Sequence, residues 1–321
     1  MRGIWITWEH QRRNKGISSA LGWPLHEIVY PGSGWRRYLY CACKTVSVIL
    51  KERPQVVAAQ NPSVVLATLN VLLKNVLGYK AVIDAHNGGI NPMEGRSRVM
   101  MAYSRLLQRF ADVTIVTNEK LRAVVEGNGG RASVLPDRLP DVPETKRYPV
   151  TGRVNIAYIC TFSADEPYRE VIEAARSLPS DVMIYVTGKF KGKIDEASIP
   201  GNVKLLGFIP DDDFWALLSS ADFILDLTLR EDCLVCGAYE GVALEKPLIL
   251  SDTKALRTYF YRGCAYVSPT SESISAGILK AIEGHDELNA EVARLKEEIE
   301  RTWDGTLERF KTLVGDLCRH D

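Results

Sequence analysis

Three features that are scarce in this chain of 321 residues narrow the kinds of protein it can be. It has no apolar run of the roughly 20 residues that span a bilayer, and its N-terminus has no signal-peptide pattern. Its seven cysteines form no disulfide-like framework for a chain this long. Net charge is also absent, because 40 Lys and Arg residues balance 40 Asp and Glu residues. We therefore expect a globular, cytoplasmic protein with about two domains.

Patterns that bind metals are scarce as well. Cys41-x-Cys43 and Cys233-x2-Cys236 each offer two thiols in apolar surroundings, which is too few for a zinc site. Asp211-Asp-Asp213 has the spacing of a metal-binding Asp-x-Asp motif, but it stands at the start of a predicted helix and favours capping there. The sequence therefore indicates no metal site.

The charges that are present are unevenly distributed. Residues 1–150 contain 21 basic and 11 acidic side chains, a net charge of +10, whereas the remainder has a net charge of −10. The asymmetry indicates an anionic partner for the first half, such as anionic lipid, a lipid-linked diphosphate or nucleic acid. Complementary charge between two halves of one protein would explain it equally well.

Apolar strands alternate with helical segments in both halves, which predicts parallel sheets covered by helices on both faces. The strands predicted in the first half are Gly3–Trp8, Val56–Gln60, Ala81–Asp84, Val113–Thr117 and Ala132–Leu135. Those predicted in the second half are Val154–Ile159, Val182–Thr187, Val203–Leu206, Phe223–Leu227 and Leu248–Leu250. Residues 136–152, rich in proline and polar side chains, predict an interdomain linker. A long charged helix is predicted from about Glu287 to Cys318, with a break near Trp303-Asp-Gly305 left open.

The most informative stretch runs from Asp232 to Asp252. Asp232 precedes a short predicted helix, Glu240 lies within it, and the helix is expected to end at Lys246-Pro247 because proline cannot continue it. A helix N-terminus offers unpaired N–H groups to a diphosphate, and carboxylates accept hydrogen bonds from hydroxyls. The pattern favours a ligand that carries both phosphate and hydroxyl groups.

At these residues the chain resembles the retaining glycosyltransferases of family 4, which have a Glu-x7-Glu motif followed by a Gly-Lys-Pro-like turn. Here the motif reads Asp232-x7-Glu240, with aspartate in place of the first glutamate, and the turn reads Glu245-Lys246-Pro247. The resemblance implies that Glu240 binds the ribose of a nucleoside diphosphate sugar and that Asp232 faces the donor sugar. It also implies that the amides of Leu234, Val235 and Cys236 hold the diphosphate.

The resemblance further implies the α/β fold called GT-B, in which two Rossmann-like domains face each other across a cleft and a C-terminal helix returns to the first domain. The expected domains are 1–145 for the acceptor, 151–300 for the nucleotide sugar, and 301–321 for the returning helix. The implied reaction transfers a hexose to a glycan or lipid-linked hydroxyl with retention of anomeric configuration, without an obligatory metal or other cofactor. The resemblance covers most of residues 150–320, and the first half only by architecture.

Two loops of the first half follow predicted strands and are candidates for the acceptor side. The loop Asp84-Ala-His86-Asn87-Gly88-Gly89 carries a histidine that the resemblance places at the donor sugar, together with glycines that let substrate approach closely. His10, Arg12 and Arg13 lie in the loop after the first strand, where two arginines can bind phosphate. Either loop would otherwise be a polar surface turn.

The first loop of the second half departs most from the family, because the usual arginine and lysine that neutralise the diphosphate are missing. Thr161 and Ser163 hydroxyls are the expected phosphate ligands there, with Lys189 and Arg230 supplying charge from neighbouring loops. Weak stabilisation of the leaving group would follow if no cation is present. This departure keeps a non-catalytic glycosyltransferase-like subunit open as an alternative, beside a sugar-nucleotide epimerase or hydrolase on the same fold.

Two basic helices, Trp35–Tyr40 and Arg96–Arg109, have aromatic or apolar neighbours and could rest on an anionic membrane surface. Helices of this kind are more often solvated on one side. We therefore expect a cytoplasmic protein that can be peripheral at the inner face of the membrane, and no nucleic-acid partner.

Overall fold

Two parallel β-sheets of six strands each organise the chain, as the alternation of strands and helices predicts. The structure is a computed structural model that describes residues 1–61 and 63–319, without the side chain of Glu94. Each sheet belongs to its own compact unit. The first unit comprises Met1–Arg138 and the segment that begins at Arg301, and the second comprises Leu139–Glu300.

The first unit has strands β1 (Gly3–Thr7), β2 (Leu25–Glu27), β3 (Val56–Asn61), β4 (Lys80–Ala85), β5 (Val113–Val116) and β6 (Ala132–Val134). Its helices are α1 (Arg12–Leu21), α2 (Trp35–Glu52), α3 (Val64–Leu77), α4 (Asn87–Ile90), α5 (Arg98–Phe110) and α6 (Glu119–Gly127), with a 3-10 turn at Pro92–Gly95. The strand order is β2-β1-β3-β4-β5-β6. Successive side chains of β1 face opposite cores: Trp5 packs in one apolar cluster, and Ile4 and Ile6 pack in another.

The second unit has strands β7 (Val154–Tyr158), β8 (Val182–Thr187), β9 (Val203–Gly207), β10 (Phe223–Asp226), β11 (Leu248–Ser251) and β12 (Cys264–Val267). Its helices are α7 (Tyr168–Ala175), α8 (Asp211–Ser220), α9 (Cys236–Ala243), α10 (Lys254–Tyr259) and α11 (Ser271–Glu283), with a 3-10 turn at Glu196–Ser198. The strand order is β12-β11-β10-β7-β8-β9. Every residue of β7, β8, β10 and β11 is buried, which explains their continuous apolar sequences.

The C-terminal helix, α12 (His285–Arg319), is continuous, so Gly305 does not break it. From Arg301 onward it belongs to the first unit. There Trp303, Leu307, Phe310 and Val314 pack in the same cluster as Trp5. The indole of Trp303 also donates a hydrogen bond of 2.9 Å to the Pro136 carbonyl. The return of this helix to the first unit agrees with the sequence expectation.

The edge strands β2 and β12 are absent from the sequence-based prediction. β2 has three residues, all half-buried, and β12 has one buried residue among four. The sequence of β2, Leu25-His-Glu27, has mixed polarity and gives no apolar run, whereas the other two edge strands, β6 and β9, were predicted although they are only partly buried.

The described residues between Val134 and Val154 form neither helix nor strand, in agreement with the predicted linker. Most of this segment packs on the second unit, where the Tyr148 amide bonds Ser220 Oγ at 2.9 Å and Leu139 joins the core. The units consequently divide after Arg138, seven residues before the boundary expected from the sequence.

None of the helices in the described residues combines the length and the apolarity that crossing a bilayer requires.

Candidate functional site

The second unit has the strand order of a dinucleotide-binding sheet. Counted within the unit, its strands follow the order 3-2-1-4-5-6, and the order reverses between neighbouring strands β7 and β10. Open α/β sheets bind ligands beyond the carboxyl ends of the strands at such a switch point. The loops after β7 and β10 therefore form the candidate site of this unit.

Helix α9 approaches this edge at very close range. A Cβ atom on Gly237, in the first turn of α9, would lie 2.6 Å from Asp226 Oδ2 and 2.6 Å from Ile159 Cδ1. The Gly237 amide donates a hydrogen bond of 2.8 Å to Asp226 Oδ2 at the end of β10. Only glycine permits this contact, which fixes the helix N-terminus against both strands.

The motif acids lie as the sequence predicts, one before the helix and one within it. Asp232 is half-buried in the loop that leads to α9, and Glu240 is 5% exposed in the helix itself. Leu234 and Val235 precede the helix, and Cys236 is its exposed first residue. This stretch therefore has the predicted order of acid, helix N-terminus and inward acid.

Helix α9 ends earlier than the proline predicts. Glu245 has a left-handed φ of 57°, and the amides of Glu245 and Lys246 bond the carbonyls of Val242 and Gly241 at 3.0 and 2.9 Å. These two bonds form a Schellman motif, which closes the helix before Pro247 is reached.

The loop after β7 is occupied by a side chain of its own. The Glu166 carboxylate accepts hydrogen bonds of 2.9 Å from the Thr161 amide, the Ser163 amide and the Thr161 hydroxyl. The sequence assigned the hydroxyls of Thr161 and Ser163 to phosphate. In the structure Glu166 precedes α7 and takes these donors itself, so the assignment of Thr161 and Ser163 to phosphate stays a prediction.

The two cations expected to assist there have other partners. Arg230 Nε lies 3.2 Å from Asp165 Oδ2 in the β7 loop, and the Leu229 amide bonds the Asp165 carbonyl at 2.7 Å. Lys189 is exposed after β8, with its ammonium 5.8 Å from the centre of the Phe208 ring. Arg230 thus joins the β10 loop to the β7 loop, but its charge is partly neutralised by Asp165.

Asp226 is an acid that the sequence reasoning did not identify as part of the site. Burial raises the pKa of this carboxyl well above its ordinary value, and the hydrogen bond from Gly237 opposes that shift. The charges of Glu166, Glu240 and Asp165 raise the pKa further, which shows that the motif helix and the β7 loop converge on Asp226. Asp226 is the last residue of the apolar strand β10, and no local sequence pattern marks it as part of a site.

In the first unit, a buried ion pair closes the carboxyl ends of β1 and β4. Arg13 of α1 bonds both carboxylate oxygens of Asp84, with Nη2–Oδ1 at 2.7 Å and Nε–Oδ2 at 3.0 Å. It also bonds Asp137 and the Leu135 carbonyl. The Arg13 side chain is 3% exposed, so it is not placed to bind an acceptor phosphate as the sequence suggested. Its charge compensates Asp84 instead.

His86 lies beside this ion pair. Its Nε2 atom is buried, is 3.8 Å from Asp84 Oδ2, and has no hydrogen-bond partner within residues 1–61 and 63–319. The rest of the side chain is partly accessible, because 31% of it is exposed. Burial lowers the pKa of His86, Asp84 and Asp137 oppose this, and Arg13 reinforces it. A neutral and partly exposed imidazole is therefore favoured.

The remaining candidates of the first unit lie at the same edge of the sheet. His10 is mostly exposed, with Nδ1 3.2 Å from Glu27 Oε1, and Arg12 is exposed at the start of α1. Asn87 and Gly88 open the short helix α4, and Gly88 is exposed. The sequence predicted a loop there, whereas the structure has one helical turn whose amides bond the His86 carbonyl.

A cavity of about 360 Å³ lies at the opposite edge of the first sheet, lined among others by Gln55, Lys74, Tyr79, Lys80 and Asp112. Lys74 is paired there with Asp112 at 3.1 Å. The strands begin at this edge, which is not where such sheets bind ligands. In the part of the chain that the structure describes, no three His, Cys, Asp or Glu side chains are grouped to hold a metal ion.

The sequence matches no protein-family model and no curated protein. Solved structures do resemble it along its whole length. HepE of Anabaena, determined in complex with UDP-glucose, has a TM-score of 0.73 at 14% identity and covers 96% of this chain and 100% of its own. Sucrose-phosphate synthase of Thermosynechococcus elongatus has a TM-score of 0.79 at 12% identity and covers 100% of both chains.

A third similar structure is a putative UDP-N-acetylglucosamine 2-epimerase of Listeria monocytogenes. Its TM-score is 0.59 at 12% identity, and it covers 90% of this chain and 91% of its own. At these identities the likeness concerns the fold. The chain has the GT-B fold, with two Rossmann-like units.

Proposed function

We propose that this chain is a glycosyltransferase that moves a hexose from a nucleoside diphosphate sugar to a hydroxyl of a glycan or lipid-linked acceptor, with retention of configuration. The observation that carries the proposal is the switch point of the second unit. There Asp232, the N-terminus of α9 and the buried Glu240 follow one another at the edge where such sheets bind nucleotides. The complex of HepE with UDP-glucose supports the same class of donor.

In this proposal Glu240 accepts hydrogen bonds from the ribose hydroxyls and Asp232 accepts them from the donor sugar. The first turn of α9 lies at the diphosphate, where amide N–H groups and the helix dipole stabilise negative charge. His86, which is partly exposed and favoured in its neutral form, stabilises charge that develops near the anomeric carbon. His10, Arg12, Asn87 and Gly88 are assigned to the acceptor side, and no metal or other cofactor is required.

The donor site is tested by thermal shift with a panel of nucleoside diphosphate sugars, with and without EDTA. We expect one donor to stabilise the protein in both conditions. Glu240→Gln keeps the shape of the side chain but removes its charge, and it should weaken donor binding about tenfold to a hundredfold. Glu245→Gln is the matched control, because this exposed acid follows the same helix and bonds Lys296. No shift with any donor, from folded protein, would contradict the proposal.

Cys236 provides an independent probe of the same contact. Its thiol is exposed at the first residue of α9, whereas Cys43 is exposed on α2 in the first unit. A bound donor should slow alkylation of Cys236 and leave alkylation of Cys43 unchanged. Equal protection of both thiols would indicate a general change in the protein rather than binding at α9.

The basic first half supports the proposal that the protein is cytoplasmic and peripheral at an anionic membrane. Helix α2 exposes Trp35 and Leu39 beside Arg36, and α5 exposes Val99 and Phe110 near Arg98 and Arg109. Such helices bind anionic lipid through buried apolar area and basic charge together. Sedimentation with vesicles should show binding to anionic but not to zwitterionic lipid, and added salt should reduce it.

Two alternatives have specific support. The similarity to the Listeria protein favours an epimerase on the same fold, which would change the sugar of the donor without any acceptor. The occupied β7 loop favours a non-catalytic subunit. Product analysis separates them: transfer requires an acceptor, epimerisation does not, and a non-catalytic subunit forms neither product.

A further inference from the structure

The β7 loop has the geometry of an anion site. Phe162 is buried and has a left-handed φ of 58°, which turns the flanking amides of Thr161 and Ser163 toward one point. Both amides and the Thr161 hydroxyl converge there at 2.9 Å from a single carboxylate. Concave groups of N–H donors of this kind bind phosphate in other proteins. Here the anion bound by these donors is the Glu166 carboxylate of the chain itself.

The β7 loop also lies at the position in the sheet where phosphate groups are expected to bind. It is the first βα loop of a sheet with the order 3-2-1-4-5-6, and that loop is where such sheets hold the phosphates of a nucleotide. Glu166 therefore lies where a phosphate group would bind. Within residues 1–61 and 63–319 no Lys or Arg forms an ion pair with Glu166, so its charge is compensated by N–H and O–H donors and by the Cys160 thiol, 3.4 Å from Oε2.

The surroundings disfavour one more negative charge beside Glu166. Asp165 and Glu240 lie close enough to raise the pKa of Asp226 together with Glu166. A phosphate could not enter the loop while the carboxylate remains, because both would need the same donors. The Glu166 side chain can move out into solvent, since Thr161 is exposed and Glu166 is only half-buried.

We propose that Glu166 is an internal competitor for the phosphate site of the β7 loop, and that its carboxylate must leave before a phosphate group of a nucleoside diphosphate binds there. Glu166 thereby sets the affinity of this loop for anions. The inference rests on the proposed donor site and adds a residue that limits its affinity.

The test is titration calorimetry with inorganic pyrophosphate on the full chain. Glu166→Gln retains the size of the side chain but has no negative charge to compete with. We expect its Kd for pyrophosphate to be at least about tenfold lower than that of the wild type, since charge-assisted hydrogen bonds are the stronger kind. Glu173→Gln is the matched control, because it removes the same charge from exposed Glu173 of α7, which bonds Arg176.

A second measurement uses Glu166→Ala, which removes all the hydrogen bonds to the loop. Its Tm should fall in anion-free buffer and recover in millimolar phosphate, whereas the Tm of the control should respond as the wild type does. If this variant folds only with phosphate present, that is the same recovery in a stronger form. A lowered Tm without recovery, or a variant that never folds, would show that Glu166 only maintains the shape of the loop.

The outcomes separate this inference from the donor proposal. Equal pyrophosphate affinities of wild type, Glu166→Gln and Glu173→Gln would overturn the inference, and a donor shift that Glu240→Gln abolishes would still support the transferase. Conversely, tighter pyrophosphate binding by Glu166→Gln, with no sugar nucleotide bound by any form, would support the inference and overturn the donor proposal.

Discussion

Asp84 and Asp226 are both buried acids at the carboxyl ends of β-strands, but Asp84 is paired with a cation and Asp226 is surrounded by other acids. Asp84 accepts three hydrogen bonds from the Arg13 guanidinium, two from Nε and one from Nη2. Asp226 accepts a hydrogen bond from the Gly237 amide and lies near the negative charges of Glu166, Glu240 and Asp165. The first arrangement pairs a buried acid with a cation, and the second raises the pKa of the Asp226 carboxyl through burial and neighbouring negative charge.

The raised pKa of Asp226 predicts a specific dependence of stability on pH. Between its ordinary value of 3.8 and the higher folded value, the folded chain binds more protons than the unfolded chain. This group therefore stabilises the fold fully at low pH and loses that contribution as pH rises, by up to about 1.4 kcal/mol per pH unit.

Asp226→Asn should remove this dependence of stability on pH, because an amide does not ionise. The amide oxygen of the variant can still accept the hydrogen bond from the Gly237 amide. Urea unfolding at about pH 5 and about pH 8 measures the difference. We expect the variant to gain stability relative to the wild type as pH rises. A constant difference between the two proteins would mean that Asp226 ionises normally in the fold.

Replacing Arg13 should be far more damaging than replacing its neighbour. Arg13→Met leaves Asp84 buried without its cation, which costs about 3–5 kcal/mol. Arg12→Met, at the exposed position beside it, should cost less than about 1 kcal/mol. Urea unfolding of both variants checks the contrast, and similar small losses would show that Asp84 finds another partner or takes up a proton.

At this scale the sequence predicted the local position of residues better than it predicted their hydrogen-bond partners. Asp232 and Glu240 were recognisable because their spacing marks a loop and a helix, which are local properties. The roles of Arg13 and Glu166 were not recognisable. Arg13 pairs with Asp84, 71 positions away, and Glu166 turns back because Pro167 delays the start of α7. Local patterns do not show which of two neighbouring arginines turns inward.

Among the elements, α9 depends most on one small residue. Gly237→Ala would place a methyl group 2.6 Å from both Asp226 Oδ2 and Ile159 Cδ1, so the helix or the strand ends must shift. We expect a loss of about 1–3 kcal/mol in stability, together with weaker donor binding.

Gly201→Ala is the matched control in the same unit, because no atom lies within 4 Å of the added Cβ. Its stability should stay within about 0.5 kcal/mol of the wild type or improve slightly. Thermal unfolding with and without a donor measures both effects. Donor binding that is unchanged in Gly237→Ala would separate the α9 N-terminus from the donor site.

All the fully buried strands were predicted, whereas the strands with mostly half-buried residues were predicted in two cases, β6 and β9, and missed in two, β2 and β12. Central strands β7, β8 and β10 appear as apolar runs because helices cover both faces of the sheet. Edge strand β2 has half-buried residues of mixed polarity, and its position beside β1 depends on packing that a local pattern does not contain. The end of α9 was misplaced for a similar reason, since a left-handed Glu245 closes it rather than Pro247.

For the whole molecule, the first unit is built from two separate parts of the sequence. Residues 1–138 supply the sheet, and the segment from Arg301 supplies one of the helices that cover it. Trp303, Leu307, Phe310 and Val314 are buried in the cluster that contains Trp5, Ile17 and Trp23. Burial of four such side chains contributes about 1.5–3 kcal/mol each, which is comparable with the 5–15 kcal/mol stability of a whole domain.

Deleting the chain from Arg301 onward should therefore unfold the first unit selectively. Hydrogen exchange followed by segment should show rapid exchange in β1 and β3, whereas β7 and β8 remain protected and serve as the internal control. Phe310→Ala is the milder form, with an expected loss of about 3–5 kcal/mol, and exposed Asp304→Ala on the same helix should change little. If the deletion leaves β1 protected, residues 1–138 fold without the returning helix. If β7 loses protection as well, the two units unfold as one cooperative body, and the stability of each depends on the other.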